Sequence, residues 1–168
     1  MGSSIVIMGV SGCGKSSLGA AVAEAEGLPL IEGDDHHSEQ SRTKMSQGIA
    51  LTDEDRDGWL ASLGEHLRAA PHGAVLTCSA LKRKYRDHLR AAAPGLRFVF
   101  LDLTREEAQA RVSSRSAHFF SASLVDSQFA ALESPVGEPG VLRVDATHAP
   151  QVLQAQVGAW LRAERTAS

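Results

Sequence analysis

Cysteine is scarce in this chain of 168 residues, which has two, Cys13 and Cys78. Two thiols make no disulfide framework, and these lack the paired spacing of a zinc site. A reducing, cytoplasmic compartment is therefore expected. An excess of one charge is also lacking: 17 Lys and Arg stand against 20 Asp and Glu, a formal net charge of −3. That balance gives no electrostatic case for a nucleic-acid partner, yet local cationic clusters remain able to hold a small anion. No apolar run is long enough to span a membrane, and the first, Ile5 to Met8, leads straight into a glycine-rich turn rather than a cleavage site. Neither a membrane partner nor a cleaved signal is expected. Repeats, low-complexity tracts and interdomain linkers are missing too, so residues 1–168 are expected to form one domain.

What is present begins with Gly9-Val10-Ser11-Gly12-Cys13-Gly14-Lys15-Ser16-Ser17. The run fits G-x-x-x-x-G-K-[ST] after an apolar strand and before a helical pattern, which is the context a phosphate-binding loop requires. Its glycines let successive backbone N–H groups and the N-terminus of the next helix face one anion-sized hollow. Lys15 adds a mobile cation and Ser16 a hydroxyl for Mg²⁺. ATP and Mg²⁺ are thus the expected cofactors, with Gly9 to Ser17 as the cradle. A plain glycine-rich turn from strand to helix is the alternative. Cys13 stands beside the nucleotide in this reading, as an alkylation probe rather than a catalyst.

Strands alternate with helices along the rest of the chain. Ile5 to Met8, a segment from Leu30, Gly73 to Cys78, Leu96 to Leu103 and Val141 to Val144 read as strands. Helices are expected over about 15–26, 39–47 and from Thr52 to about 70, where Thr52-x-x-Asp55 forms a capping box. Others open at Ser79 and after Thr104-x-x-Glu107, with Leu124 to Leu132 and Pro150 to Arg162 closing the series. A serine-rich stretch, about 113–123, reads as a mobile lid. The alternation implies an open α/β sheet whose ligands bind beyond the carboxyl ends of the strands.

Phosphoryl transfer needs cations around the moving group and a nucleophile held in line, and candidates for each lie at strand ends. Glu32 and Asp34 follow the second strand with Gly33 between them. One could hold a metal-bound water and the other an acceptor hydroxyl; a solvated acidic turn is the alternative. Arg56 lies on the stripe of Leu60, Leu63 and Leu67, suited either to a carboxylate substrate or to Asp53 or Asp55. Lys82 and Arg86, four apart at a helix start, would reach over the cleft or make a solvated face. Arg111 and Arg115 share a face just before the lid, positioned for nucleotide phosphates or for ion pairs with Glu106 and Glu107. His37 reads as a hydrogen-bonding partner for a polyol or as a solvated loop histidine.

Taken together, these residues resemble the gluconate kinases of the phosphate-loop type. The likeness runs through Gly9 to Ser16, Gly33-Asp34 with His37, Lys44-Met45, Asp53-Glu54-Asp55-Arg56 and Trp59-Leu60. It continues in Cys78-Ser79-Ala80-Leu81-Lys82 with Tyr85-Arg86, Arg111, Arg115, His118-Phe119 and Ser127-Gln128-Phe129. The resemblance implies the nucleoside-monophosphate-kinase fold, a five-stranded parallel sheet in the order 2-3-1-4-5. It also implies ATP-dependent phosphorylation of D-gluconate at its 6-hydroxyl, and often a homodimer. Asp34, His37, Arg56, Lys82 and Arg86 would surround gluconate, Lys15, Asp34, Arg111 and Arg115 would serve catalysis, and Ser16 and Glu32 would serve Mg²⁺, Glu32 through water. Another kinase of this fold acting on a hydroxylated carboxylate such as shikimate, or an ATP-binding switch, is the alternative. Glu32, Ser38, Ser41, Ala50 and Gly58 replace the family's usual aspartate, proline, asparagine and two prolines. The serines at 38 and 41 are expected to loosen the segment facing the acceptor.

Overall fold

Five short strands build one parallel sheet in the computed structural model, which describes residues 4–10, 12–113 and 122–167. Ser11, Arg115 and most of the expected lid over 113–123, His118 and Phe119 included, lie outside the described residues. The strands are β1 (Ile5–Met8), β2 (Leu30–Glu32), β3 (Val75–Thr77), β4 (Arg97–Asp102) and β5 (Val141–Asp145), in the spatial order 2-3-1-4-5. This is the sheet expected. The helices are α1 (Lys15–Glu26), α2 (Glu39–Ser46), α3 (Asp53–Arg68), α4 (Arg83–Ala92), α5 (Arg105–Ser113), α6 (Ala122–Ala131) and α7 (Pro150–Ala167), with a 3-10 turn over Gly33–His36.

Every residue of β1 is buried because helices cover both faces of the sheet. Alternate side chains therefore feed two cores. Ile5, Ile7, Val99 and Leu101 pack with Leu18 and Val22 of α1 and with Leu153, Val157 and Leu161 of α7. Val6, Met8, Leu76, Phe98 and Phe100 pack on the other side with Leu60, Leu63 and Leu67 of α3 and Leu89 of α4. No helix among the described residues is long and apolar enough to cross a membrane.

Helix ends follow the signals in the sequence. Thr52 and Asp55 form the reciprocal capping box of α3, and Thr104 and Glu107 make the same exchange at α5. Ser38 caps α2, its hydroxyl accepting from the Ser41 N–H at 3.1 Å, and Ser41 is buried. A side-chain cap thus ties the start of α2 in the segment where the serines replace the family's proline and asparagine.

The helix after β3 begins later than expected, at Arg83 rather than Ser79. Lys82 is its extended N-cap, and the preceding Ala80 carries a left-handed φ of 47°. The later start turns Arg86 into the buried face with Tyr85 and Leu89. Its guanidinium, fully enclosed, meets both oxygens of Glu138 at 2.9 and 2.7 Å and donates to the carbonyls of Ala80 and Glu133. Arg90 joins the same carboxylate at 2.9 Å. Glu138→Ala, which leaves Arg86 buried without its counter-charge, is expected to destabilise the fold by about 3–5 kcal/mol in chemical denaturation.

Candidate active site

The carboxyl ends of β1, β2 and β3 open onto a cavity of about 190 Å³. One wall consists of Gly12, Gly14, Lys15, Ser16 and Ser17, and the opposite wall of Asp34, His37 and Arg56. Two halves read from distant parts of the chain therefore meet. At the phosphate loop, Gly14 stands at the N-cap of α1 with a φ of 97°, a conformation that a side chain would strain. The Lys15 ammonium is folded over the loop, donating to the carbonyls of Gly9 and Val10 at 3.1 Å each. Arg111 reaches the same loop from α5, donating to the Gly12 carbonyl at 2.9 Å and to the Ala146 carbonyl at 2.9 Å. The hollow is thus approached by two cations.

Glu32 ends β2 beside the loop, where Ser16 donates to one of its oxygens at 2.8 Å and Thr77 to the other at 2.8 Å. This corner offers hard oxygen donors only. Among the described residues no cluster of three His, Cys, Asp or Glu side chains could cage a metal by itself. A hydroxyl and one carboxylate fit the sparse protein contribution that Mg²⁺ accepts when phosphates and water supply the rest.

The chain then turns sharply at Gly33, where an added Cβ would lie 2.2 Å from the Thr77 carbonyl oxygen. Only glycine permits that approach. The turn presents Asp34, whose carboxyl is held below the ordinary carboxylate range. His37 is the main cause, its Nε2 lying 3.6 Å from the carboxylate; partial burial opposes it, and the charges of Lys15 and Arg42 add to it. Asp34 is a carboxylate at neutral pH, able to accept a hydroxyl hydrogen bond, and the downward shift makes it a weaker base than a free carboxylate.

Arg56 lines the cavity half-buried, with its guanidinium 5.4 Å from the centre of the Tyr85 ring. The alternative partners expected for it are occupied elsewhere. Asp55 pairs with Lys44 at 2.8 Å, and Asp53 is held by Lys82, Lys84 and the Tyr85 hydroxyl. No carboxylate among the described residues forms an ion pair with Arg56.

Lys82 and Arg86 do not join this wall. Lys82 is turned to Asp53 at 3.2 Å, and Arg86 lies beneath the cleft in its pair with Glu138. Their expected four-residue spacing over the cleft fails because Lys82 precedes the helix, so the two do not share a helical face. Residues given no role from the sequence do line the cavity, including Met45, Leu51, Ser79, Ser127 and Gln128. Ser79 and Ser127-Gln128 belong to motifs that carried the family resemblance, which was the available signal.

Both thiols are closed off, at 1% exposure each. Burial raises the Cys13 pKa against the pull of Lys15, and pushes Cys78 up to about 12. Cys13 is therefore no ready alkylation probe, since the neutral thiol is neither exposed nor nucleophilic. Native protein treated with iodoacetamide at pH 8 is expected to stay unmodified by intact-mass measurement, and unfolding should release two alkylation sites.

A family model described as an AAA domain matches residues 5–136. A gluconokinase of Gluconobacter oxydans is 44% identical over 152 residues, covering 89% of this chain and 85% of the relative. The crystal structure of a gluconokinase from Sinorhizobium meliloti superposes with a TM-score of 0.88 at 47% identity, covering 98% and 95% of the two chains. A shikimate kinase from Aquifex aeolicus, at 11% identity and a TM-score of 0.61 over 98% and 99% of the chains, shares the fold alone. With a phosphate loop at one wall of the cavity and such identity across nearly its whole length, the chain belongs to the gluconokinase family of P-loop kinases.

Proposed function

We propose that this chain, acting as one domain, transfers the γ-phosphoryl group of ATP to the 6-hydroxyl of D-gluconate. The observation that carries the reading is the single cavity shared by the phosphate loop and by Asp34, His37 and Arg56. A small polyhydroxy acid suits it: Arg56, with no carboxylate paired to it among the described residues, meets the substrate carboxylate, while His37 and Asp34 meet hydroxyls. Asp34 orients the 6-hydroxyl and takes its proton as the oxygen bonds to the γ-phosphorus and the bond to the β,γ-bridging oxygen breaks, releasing ADP.

On the donor side, backbone N–H groups of Gly12 to Ser17 cradle the phosphates, and Lys15 leaves the Gly9 and Val10 carbonyls to meet the transferred charge. Arg111 supplies a second cation from α5, with Arg115 assigned to the lid. Mg²⁺, held by Ser16 and through water by Glu32, would neutralise charge across the β- and γ-phosphates. Lys82 acts through its ion pair with Asp53, whose carboxylate also holds the Tyr85 hydroxyl beneath Arg56, and Arg86 by holding the carbonyls of Ala80 and Glu133.

ADP release should require gluconate, with phosphate appearing on its 6-oxygen by NMR. Turnover on another acid such as shikimate and none on gluconate would overturn the substrate assignment while retaining the kinase; ADP release independent of any acceptor would favour a switch. Asp34→Ala is expected to lower kcat by about 10²-fold or more with ATP binding retained. Arg56→Ala should instead raise the KM for gluconate about tenfold or more, the loss of one charged hydrogen-bonding partner.

A further inference from the structure

Trp59 is buried in α3 at 4% exposure, among leucines that fill the core without any polar contact. It does something they cannot. Its indole N–H donates to the Gly33 carbonyl at 2.7 Å, and its ring stacks on His37 with centroids 4.2 Å apart and planes 20° from parallel. Gly33 opens the turn that carries Asp34, and His37 follows it directly. One side chain therefore grips that turn at both ends.

Each grip is needed. The Gly33 N–H faces the Thr77 hydroxyl at 3.3 Å and its Cα is crowded by the Thr77 carbonyl, so β3 holds one side of the peptide and Trp59 the other. At His37, the side chain is 3% exposed and the buried Nδ1 has no hydrogen-bond partner among the described residues. The ring is thus oriented by its stack on Trp59 and by its approach to Asp34. A leucine at position 59 would fill space but leave the Gly33 carbonyl unpaired and the imidazole free to tilt.

We infer that Trp59 is a positioning residue for phosphoryl acceptance, setting through Gly33 and His37 where the Asp34 carboxylate stands relative to Lys15. The inference rests on the acceptor role proposed for Asp34 and His37. Two variants separate its contacts: Trp59→Phe keeps a ring against His37 and removes the N–H, whereas Trp59→Leu removes both.

Steady-state kinetics and thermal melting of both variants test the idea. Trp59→Phe should lower kcat about tenfold with the KM for gluconate nearly unchanged, since displacement of a catalytic group by a fraction of an ångström is costly to rate. Trp59→Leu should lower kcat further and raise the KM for gluconate about tenfold, with the KM for ATP within about twofold of wild type in both. Folded variants with wild-type kcat and gluconate KM would overturn the inference. So would a loss spread equally over kcat and both KM values in step with the melting temperature, which marks a structural role only. If Trp59→Leu does not fold, Trp59→Phe decides, together with fluorescence. The chain has two tryptophans, and Trp160→Phe leaves Trp59 as the sole emitter. Saturating gluconate should then change its emission; an unchanged spectrum overturns the inference. Wild-type protein inactive on gluconate refutes the substrate assignment instead, and the same kinetics are then read on the acid it does phosphorylate.

Discussion

The cleft depends on one joint, where Thr77 of β3 meets Glu32 and Gly33 at the end of β2. Thr77 is in register with Ile7 of β1 on one side and with Glu32 of β2 on the other. Its hydroxyl donates to Glu32, while its main chain comes so close to Gly33 that no Cβ fits between them. Strand β1 runs on into the phosphate loop and β2 into the acceptor turn, so this joint sets the distance between donor and acceptor. Ser16 completes it by reaching back to Glu32. A parallel sheet suits the task because β1 and β3, buried along their whole length, allow little sliding against each other, and β2 is tied to β3 by the Thr77–Glu32 hydrogen bond.

Charge is arranged around that joint by a simple rule. A cation that serves structure is neutralised by a buried carboxylate, whereas Lys15 and Arg56 form no ion pair with a carboxylate among the described residues. Arg86 is the first kind, enclosed by Glu138 and two carbonyls. Lys15 is the second, its ammonium resting on the Gly9 and Val10 carbonyls beside the phosphate hollow. Arg56 rests on the Tyr85 ring, a contact that orients a guanidinium without neutralising it. Tyr85 remains protonated because burial and the Asp53 carboxylate both raise its pKa, which preserves the hydroxyl that anchors the ring.

The acceptor wall has a second layer in α3. Arg56 faces the cavity from the first turn, and Trp59 stands one turn further on behind His37. The capping box at Thr52 fixes where the helix begins, and thus the rotation at which both side chains project. Ser38 performs the same service for α2, beginning the helix that brings Met45 to the cavity.

Much of this was legible in the chain. The phosphate loop, the two capping boxes and the order of strands and helices are local patterns, because glycine conformation, cap chemistry and side-chain periodicity act within a few residues. Asp34 and Arg56 were legible as site candidates from a strand end and from a charged residue on an apolar stripe. Arg86 and Lys82 were not, since one short loop with a left-handed Ala80 delays α4 and sends the two side chains apart. Nor could the sequence pair Arg86 with Glu138, or Trp59 with Gly33 and His37. Local chemistry thus determined which residues form the loop and the strand-end acids. Only tertiary packing decided which cations are spent within the protein and which face the cleft, because that choice depends on partners far apart in the chain whose burial is set by the completed core.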